Sequence, residues 1–280
     1  MIWPLVSPDW LQKRIGDTGV VVVDASWHMP AAQRDARAEF AAGHIPGAVF
    51  FDIDACSDHD SGLPHMLPTP EVFSDYAGQL GISDNHNIVV YDTVGLFSAA
   101  RAWWTMRAFG AAHVFVLDGG LPAWRAAGLP VETGVAKPDA ASFNARPAQG
   151  VASIDAVQAA LDRHSAQVVD ARGASRFSGA VAEPRPGLRS GHMPGALNVP
   201  FDRLIDGGRM RPPEAIEKVF AEAGLAPEEP VITTCGSGVT AAIVSLALAC
   251  ISRDSLLYDG SWSEWGGDST RKVVSAAPSN

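Results

Sequence analysis

The sequence predicts an α/β protein made of two tandem copies of one domain, each a mainly parallel sheet flanked by helices. Three observations predict it. Four short patterns occur twice in the same order, β-branched runs of strand length alternate with longer helix-like stretches, and a polar segment bearing Pro and Gly separates the two series.

The repeat sets the architecture before any local assignment. VVVDAS, with Asp24, recurs as VVDARG, with Asp170. Gly43-His44-Ile45-Pro46-Gly47-Ala48 recurs as Gly191-His192-Met193-Pro194-Gly195-Ala196. IVVYD, closing at Asp92, matches VITTC, closing at Cys235, and VLDGGLPAW, with Asp118 and Trp124, matches LYDGSWSEW, with Asp259 and Trp265. The offsets between copies are 146, 148, 143 and 141 residues, so only small insertions separate them. Within each copy, VVVD, NIVVYD and HVFVLD read as buried strands, and PEVFSDYAGQLG and PEAIEKVFAEAGL as the helices between them. The expected organisation is a first domain over residues 1–131, a linker over 132–150 (ETGVAKPDAASFNARPAQG without sustained periodicity) and a second domain over 151–280.

At 280 residues, 47% hydrophobic and 19% charged, the chain has ample material for buried cores. A net charge of −10 argues against a nucleic-acid partner, which needs a basic face. An anionic ligand must therefore be met by a few placed arginines. No apolar run approaches the ~20 residues of a membrane span, and the start MIWPLVSPDW lacks a signal-peptide pattern, so a cytoplasmic protein with no membrane partner is expected.

The three cysteines, Cys56, Cys235 and Cys250, form no CxxC pair and no zinc-like cluster with histidine, which predicts neither disulfide nor metal. Cys250 ends an apolar helix and reads as a small core residue, and Cys56 as structural or incidental. Cys235 differs by its context. It ends the strand VITT and opens Cys235-Gly236-Ser237-Gly238-Val239-Thr240, after which AAIVSLALA continues as a helix. A strand turning through glycines into a helix brings successive N–H groups onto one point, where a thiolate or an anionic substrate is favoured. The other copy has Asp92-Thr93-Val94-Gly95-Leu96-Phe97 there and no thiol, so only the second copy can be the catalytic one. His44 and His192 occur in both copies and are expected to serve the turn.

GHIPGA with its near-repeat GHMPGA, DGG or DGS followed by Trp, and CGSGVTA before a helix resemble the tandem rhodanese-domain sulfurtransferases, and among them the 3-mercaptopyruvate sulfurtransferase branch. The likeness runs from about Val20 to Gly266. It implies two rhodanese-like domains, no cofactor and sulfur carried as a persulfide on Cys235. It implies Arg176 and Arg185 as the pair that binds the donor carboxylate, with the bidentate geometry only arginine offers. It also implies a proton-handling set, Ser237 in the loop with His65 and Asp54 in the first copy, at an interface between domains. His65 has the alternative of a plain loop histidine and Asp54 that of a helix N-cap. Related thiosulfate sulfurtransferases carry basic residues in the two positions after the cysteine, where this sequence has Gly236 and Ser237. That difference favours a monoanionic donor over dianionic thiosulfate.

The partners so implied are a small-molecule sulfur donor and a thiol acceptor such as thioredoxin or a small thiol, with cyanide as an assay acceptor. Thiosulfate:cyanide sulfurtransferase is the nearest alternative. A cysteine phosphatase resembles C-x5-R, and the sixth position after Cys235 is Ala241. An inactive binding module is argued against by the intact Cys235 loop.

Overall fold

The computed structural model describes residues 3–135 and 138–275. They form two compact units. The first comprises residues up to 58, 67–149 and 205–210, and the second 59–66, 150–204 and 211 onward.

In the first unit, strands β1 (Leu5–Val6), β2 (Val20–Asp24), β3 (Val49–Phe50), β4 (Asn87–Tyr91) and β5 (His113–Leu117) make one parallel sheet in the order β1-β5-β4-β2-β3. The predicted strands VVVD, NIVVYD and HVFVLD are β2, β4 and β5. Val22, Val23, Ile88, Val89, Val90, Val116 and Leu117 are all buried, the continuous apolar pattern of strands covered on both faces. The helix Pro70–Gln79 starts where Thr69 caps it, its side chain accepting from Val72 N, with Pro70 in the first turn.

The second unit repeats the plan. Strands β6 (Val151–Ala152), β7 (Gln167–Asp170), β8 (Leu197–Asn198), β11 (Val231–Thr234) and β12 (Leu256–Tyr258) pair in parallel in the order β6-β12-β11-β7-β8, the same permutation. The hairpin of β9 (Ile205–Asp206) and β10 (Arg209–Met210) interrupts it in sequence but belongs to the first unit. Met210 N donates to Asp118 Oδ1 at 2.9 Å, and Gly208 packs against Gly95 so closely that a Cβ on Gly95 would lie 2.7 Å from Gly208 O. Conversely, residues 59–66 from the first copy lie in the second unit. The stretch expected as linker runs along the first unit as far as 149, with Glu132 paired to His44 and Ala141 N bonded to Gly78 O.

The repeated motifs are repeated supports. Trp124 and Trp265 are fully buried and donate Nε1–H to the carbonyls of Pro130 (2.7 Å) and Lys272 (2.9 Å). His44 lies on Phe40 with centroids 4.0 Å apart and bonds Phe40 O through Nδ1; His192 does the same with Phe177 at 3.9 Å. Gly191 is required, since at φ 123° a Cβ would meet Val274 O at 2.4 Å.

The copies differ at the end of the second strand. Asp170 is neutralised by Arg172, whereas its counterpart Asp24 has Ser26 in that place. Burial pushes the Asp24 carboxyl up to about 6, against the hydrogen bonds from Ser26 and Tyr91 and helped by the charge of Asp92. A carboxyl raised in the fold stabilises it when protonated, so its contribution is complete below about pH 4 and is lost as pH rises through 6, a change of about 2–3 kcal/mol. Asp24→Asn is therefore expected to unfold at higher temperature than the wild type at pH 7.5. The gap should close near pH 4, as thermal melts at the two pH values would show.

Candidate active site

Strand β11, the loop 235–240 and the helix Ala241–Cys250 are buried almost throughout, so the loop's shape is dictated by what it packs against. Ser261 ties it from behind. Its Oγ accepts from Cys235 N (3.2 Å) and Gly238 N (3.1 Å) and donates to Tyr258 O (2.8 Å). Ser261 holds φ 51°, a left-handed conformation unusual for a residue with a side chain, and its counterpart in the first copy is Gly120, at φ 54°. Trp262 N and Ser263 N donate to the carbonyls of Cys235 and Gly236, both at 2.9 Å. The carbonyls thus point into the protein. The amides of Gly236, Ser237, Val239 and Thr240 take no hydrogen-bond acceptor among the described residues.

The first copy shows what such a loop holds. Asp92, in the place of Cys235, turns its carboxylate into its own loop and accepts from Val94 N (3.0 Å), Phe97 N (2.7 Å) and Ala99 N (3.0 Å). An internal anion fills that cradle. In the second copy Cys235 takes the corresponding place in the chain, buried at the end of β11.

Both arginines singled out from the sequence stand at this loop. A Cβ built on Gly236 would lie 3.1 Å from Arg176 Nη2 and 3.8 Å from Arg185 Nη1, and Arg185 Nη2 donates to Ser237 Oγ at 3.3 Å. Glu183 holds Arg176 through Nη2 (2.5 Å) and Nε (3.3 Å), and the same carboxylate binds the fully buried Arg172 at 2.7 Å. Arg172 also clasps Asp170, donates to Gly191 O and lies over the Trp262 ring at 4.1 Å. Burial alone would lower its pKa, but Asp170 and Glu183 more than offset that and raise it.

Of the remaining expected residues, His65 lies in the second unit with Cys235, Ser237, Arg176 and Arg185. It is buried, at φ 61°. Asp54 lies in the first unit, where its Oδ2 accepts from Trp27 Nε1 at 2.9 Å. Its alternative as a cap does not hold, because Asp52 accepts the amides of Asp54 and Ala55. Gly238 is at φ 78°, and Val239 is buried beside the helix start. Burial pushes the Cys56 thiol up to about 12, so it is no nucleophile at neutral pH; Cys250 is buried at the end of its helix. Among the described residues no group of histidine, cysteine and carboxylates could hold a metal, and no helix is long and apolar enough to cross a membrane.

Sequence reasoning missed Ser261, Arg172 and Glu183. A signal existed for Arg172: aligning VVVDAS with VVDARG sets it against Ser26, a cation only in the copy with the thiol.

Comparison with known proteins gives the family. The family model of the rhodanese-like domain matches twice, over residues 7–127 and 153–268. The chain belongs to the rhodanese-like family. Its rhodanese-like relatives include 3-mercaptopyruvate sulfurtransferase of Escherichia coli, 46% identical over 93% of this chain and 94% of that protein. The human protein of the same name is 44% identical over 93% and 91%. The crystal structure of SseA from Escherichia coli, a 3-mercaptopyruvate sulfotransferase, superposes with a TM-score of 0.87 at 43% identity, covering 94% of this chain and 99% of that one. The Tum1 protein of Saccharomyces cerevisiae gives 0.90 at 30% identity, covering 98% of both.

The filled cradle of the first rhodanese-like domain can be tested directly. Asp92→Gly leaves the amides of Val94, Phe97 and Ala99 without an acceptor and is expected to destabilise the fold by at least about 3 kcal/mol, since each is a bond to a charged group. Added sulfate should then raise the variant's unfolding temperature by more than the wild type's, because a free anion can take the vacated place. Equal response of the two proteins in a thermal shift titration would show that the loop is no anion cradle.

Proposed function

We propose that this chain transfers sulfur from 3-mercaptopyruvate through a persulfide on Cys235, releasing pyruvate. The observation that carries the reading is Cys235 opening a loop whose amides at Gly236, Ser237, Val239 and Thr240 take no acceptor among the described residues, with the guanidiniums of Arg176 and Arg185 beside Gly236. The relatives' activity agrees with it.

The chemistry follows from the arrangement. The two guanidiniums take the donor's single carboxylate, which sets its thiol sulfur against Cys235. The Cys235 thiolate attacks that sulfur, the Sγ–S bond forms, the S–C3 bond breaks, and its electron pair leaves as the enolate of pyruvate. Loop amides stabilise the charge that moves. The proton lost from the donor thiol ends on C3, and Ser237 and His65, with Asp54, are the groups proposed to carry it. Pyruvate departs and Cys235 is left as a persulfide anion. A second thiol, small or on a protein such as thioredoxin, attacks the outer sulfur and restores the thiolate; cyanide would leave as thiocyanate. A free thiolate of this kind suits a reducing compartment such as the cytoplasm.

Donor choice follows from charge. Thiosulfate carries two negative charges and leaves as sulfite, and the neutral Gly236 and Ser237 offer it no further cation near the nucleophile. Gly236 does not adopt a left-handed conformation, so a side chain there would meet the Arg176 guanidinium rather than strain the backbone.

Incubation with mercaptopyruvate is expected to add 32 Da, roughly the mass of one sulfur, to the wild type and not to Cys235→Ser. Cys250→Ala should keep most of the turnover. Sulfur capture by Cys235→Ser, or capture from thiosulfate in preference to mercaptopyruvate, would overturn the assignment.

A further inference from the structure

The first unit has a cavity of its own at the place where the second has its reactive loop. It measures about 360 Å³ and is bordered by Arg34, Glu39, Gly43, Thr93 and Arg125, with Leu121 and Pro122 as an apolar wall. Thr93 follows Asp92 as Gly236 follows Cys235, Gly43 is the counterpart of Gly191, and Leu121 that of Trp262. The cavity thus lies beyond the carboxyl end of β4, where open α/β sheets take their ligands. Guanidiniums stand at matching places in the two units. Arg34 Nη2 lies 3.4 Å from Thr93 Oγ1, as Arg176 Nη2 would lie 3.1 Å from a Cβ on Gly236. Arg125 Nη2 donates to Gly43 O at 3.2 Å, as Arg172 Nη2 donates to Gly191 O at 2.8 Å. Yet they come from positions that do not match: the counterpart of Arg125 is Gly266, and the stretch aligned with Arg34 is Ala180-Val181-Ala182. These two arginines are therefore no part of the repeated scaffold and belong to the first unit alone.

Glu39 does not occupy Arg125. Its oxygens are taken by Arg34 Nε and Nη2, both at 2.7 Å, with His28 Nε2 at 3.0 Å, and Arg34 holds its carboxyl below the usual range. Arg125 meets no carboxylate among the described residues, and its Nε and Nη1 donors have no acceptor among them. We infer that this cavity is a binding site for a small organic carboxylate, which Arg125 and Arg34 hold by its oxygens while Leu121 and Pro122 receive its apolar body. The ligand is bound and not transformed, because no cysteine borders the cavity and Asp92 turns its carboxylate into its own loop. Every residue named lies in the first unit, so binding needs neither Cys235 nor the sulfur transfer proposed above.

The test is an NMR titration of the isotope-labelled full chain with butyrate, and separately with inorganic sulfate, following the amide resonances of Gly43 and Thr93. Butyrate should shift both and saturate with a Kd on the order of 1 mM, a modest affinity for one carboxylate in an open cavity. Arg125 is exposed, so Arg125→Gln is expected to fold, and it should weaken butyrate about tenfold. Arg125→Lys keeps the charge and loses the fork. It should fall between the two, about threefold weaker than the wild type, and it decides the matter should Arg125→Gln misfold. Three results would overturn the inference. Gly43 and Thr93 could stay unmoved while only the loop of Cys235 responds, which would put the carboxylate in the second unit. Butyrate could bind the wild type and the Arg125 variants equally. Sulfate could bind as tightly as butyrate, which would make the cavity a place for inorganic anions with no use for its apolar wall.

Discussion

A strand that ends in a tight loop and re-enters the fold as a buried helix leaves several backbone amides pointing at one spot with no carbonyl to receive them. Left empty, such a spot is costly, because each buried donor forfeits its bond with water. The first unit meets the demand with Asp92, whose two oxygens take three amides. The second unit has Cys235 at that place in the chain, a residue whose sulfur can carry charge. Everything else at the site adjusts to this exchange. Ser261 gathers the two amides on the inner side, and the arginine cluster faces the outer one.

How much of this the sequence revealed depended on whether the signal was local. The two sheets were legible from runs such as NIVVYD and VITT, because buried parallel strands need continuous apolar residues and nothing distant. Cys235 was legible because strand, glycines and helix follow one another within a dozen residues. Ser261 was not. It lies 26 residues beyond Cys235, and only the pairing of β11 with β12 returns it to the loop. Glu183 was hidden in the same way, since an isolated glutamate reads as a solvated side chain until Arg172 and Arg176 are seen around it. The segments 59–66 and 205–210 group by contact with the unit other than the one their place in the chain suggests, for hydrogen bonds such as Met210 N to Asp118 act over 92 residues and leave no trace in local pattern.

The histidines show the opposite case, in which a residue type associated with catalysis is scaffold. His44 and His192 stack on a phenylalanine and bond its carbonyl, each fixing the strand-entry turn of its own unit. Their presence in both copies was informative because only one copy has a nucleophile. The same comparison, applied to what the copies do not share, isolates Arg172 against Ser26 and Ser261 against Gly120. A duplicated chain thus carries its own control: features common to both halves hold the domain together, and those confined to one half mark its chemistry.

The two exchanged segments bear on inheritance as well as folding. Each half of the sequence lends a short piece to the other's compact unit, residues 59–66 in one direction and 205–210 in the other. A gene cut between the copies would therefore yield two products, neither of them a whole unit, and the half that keeps Cys235 would be born without His65. Reciprocal lending of this kind makes the fusion hard to undo. The silent copy, though it has no thiol, thus supplies residues 59–66 to the compact unit that carries Cys235.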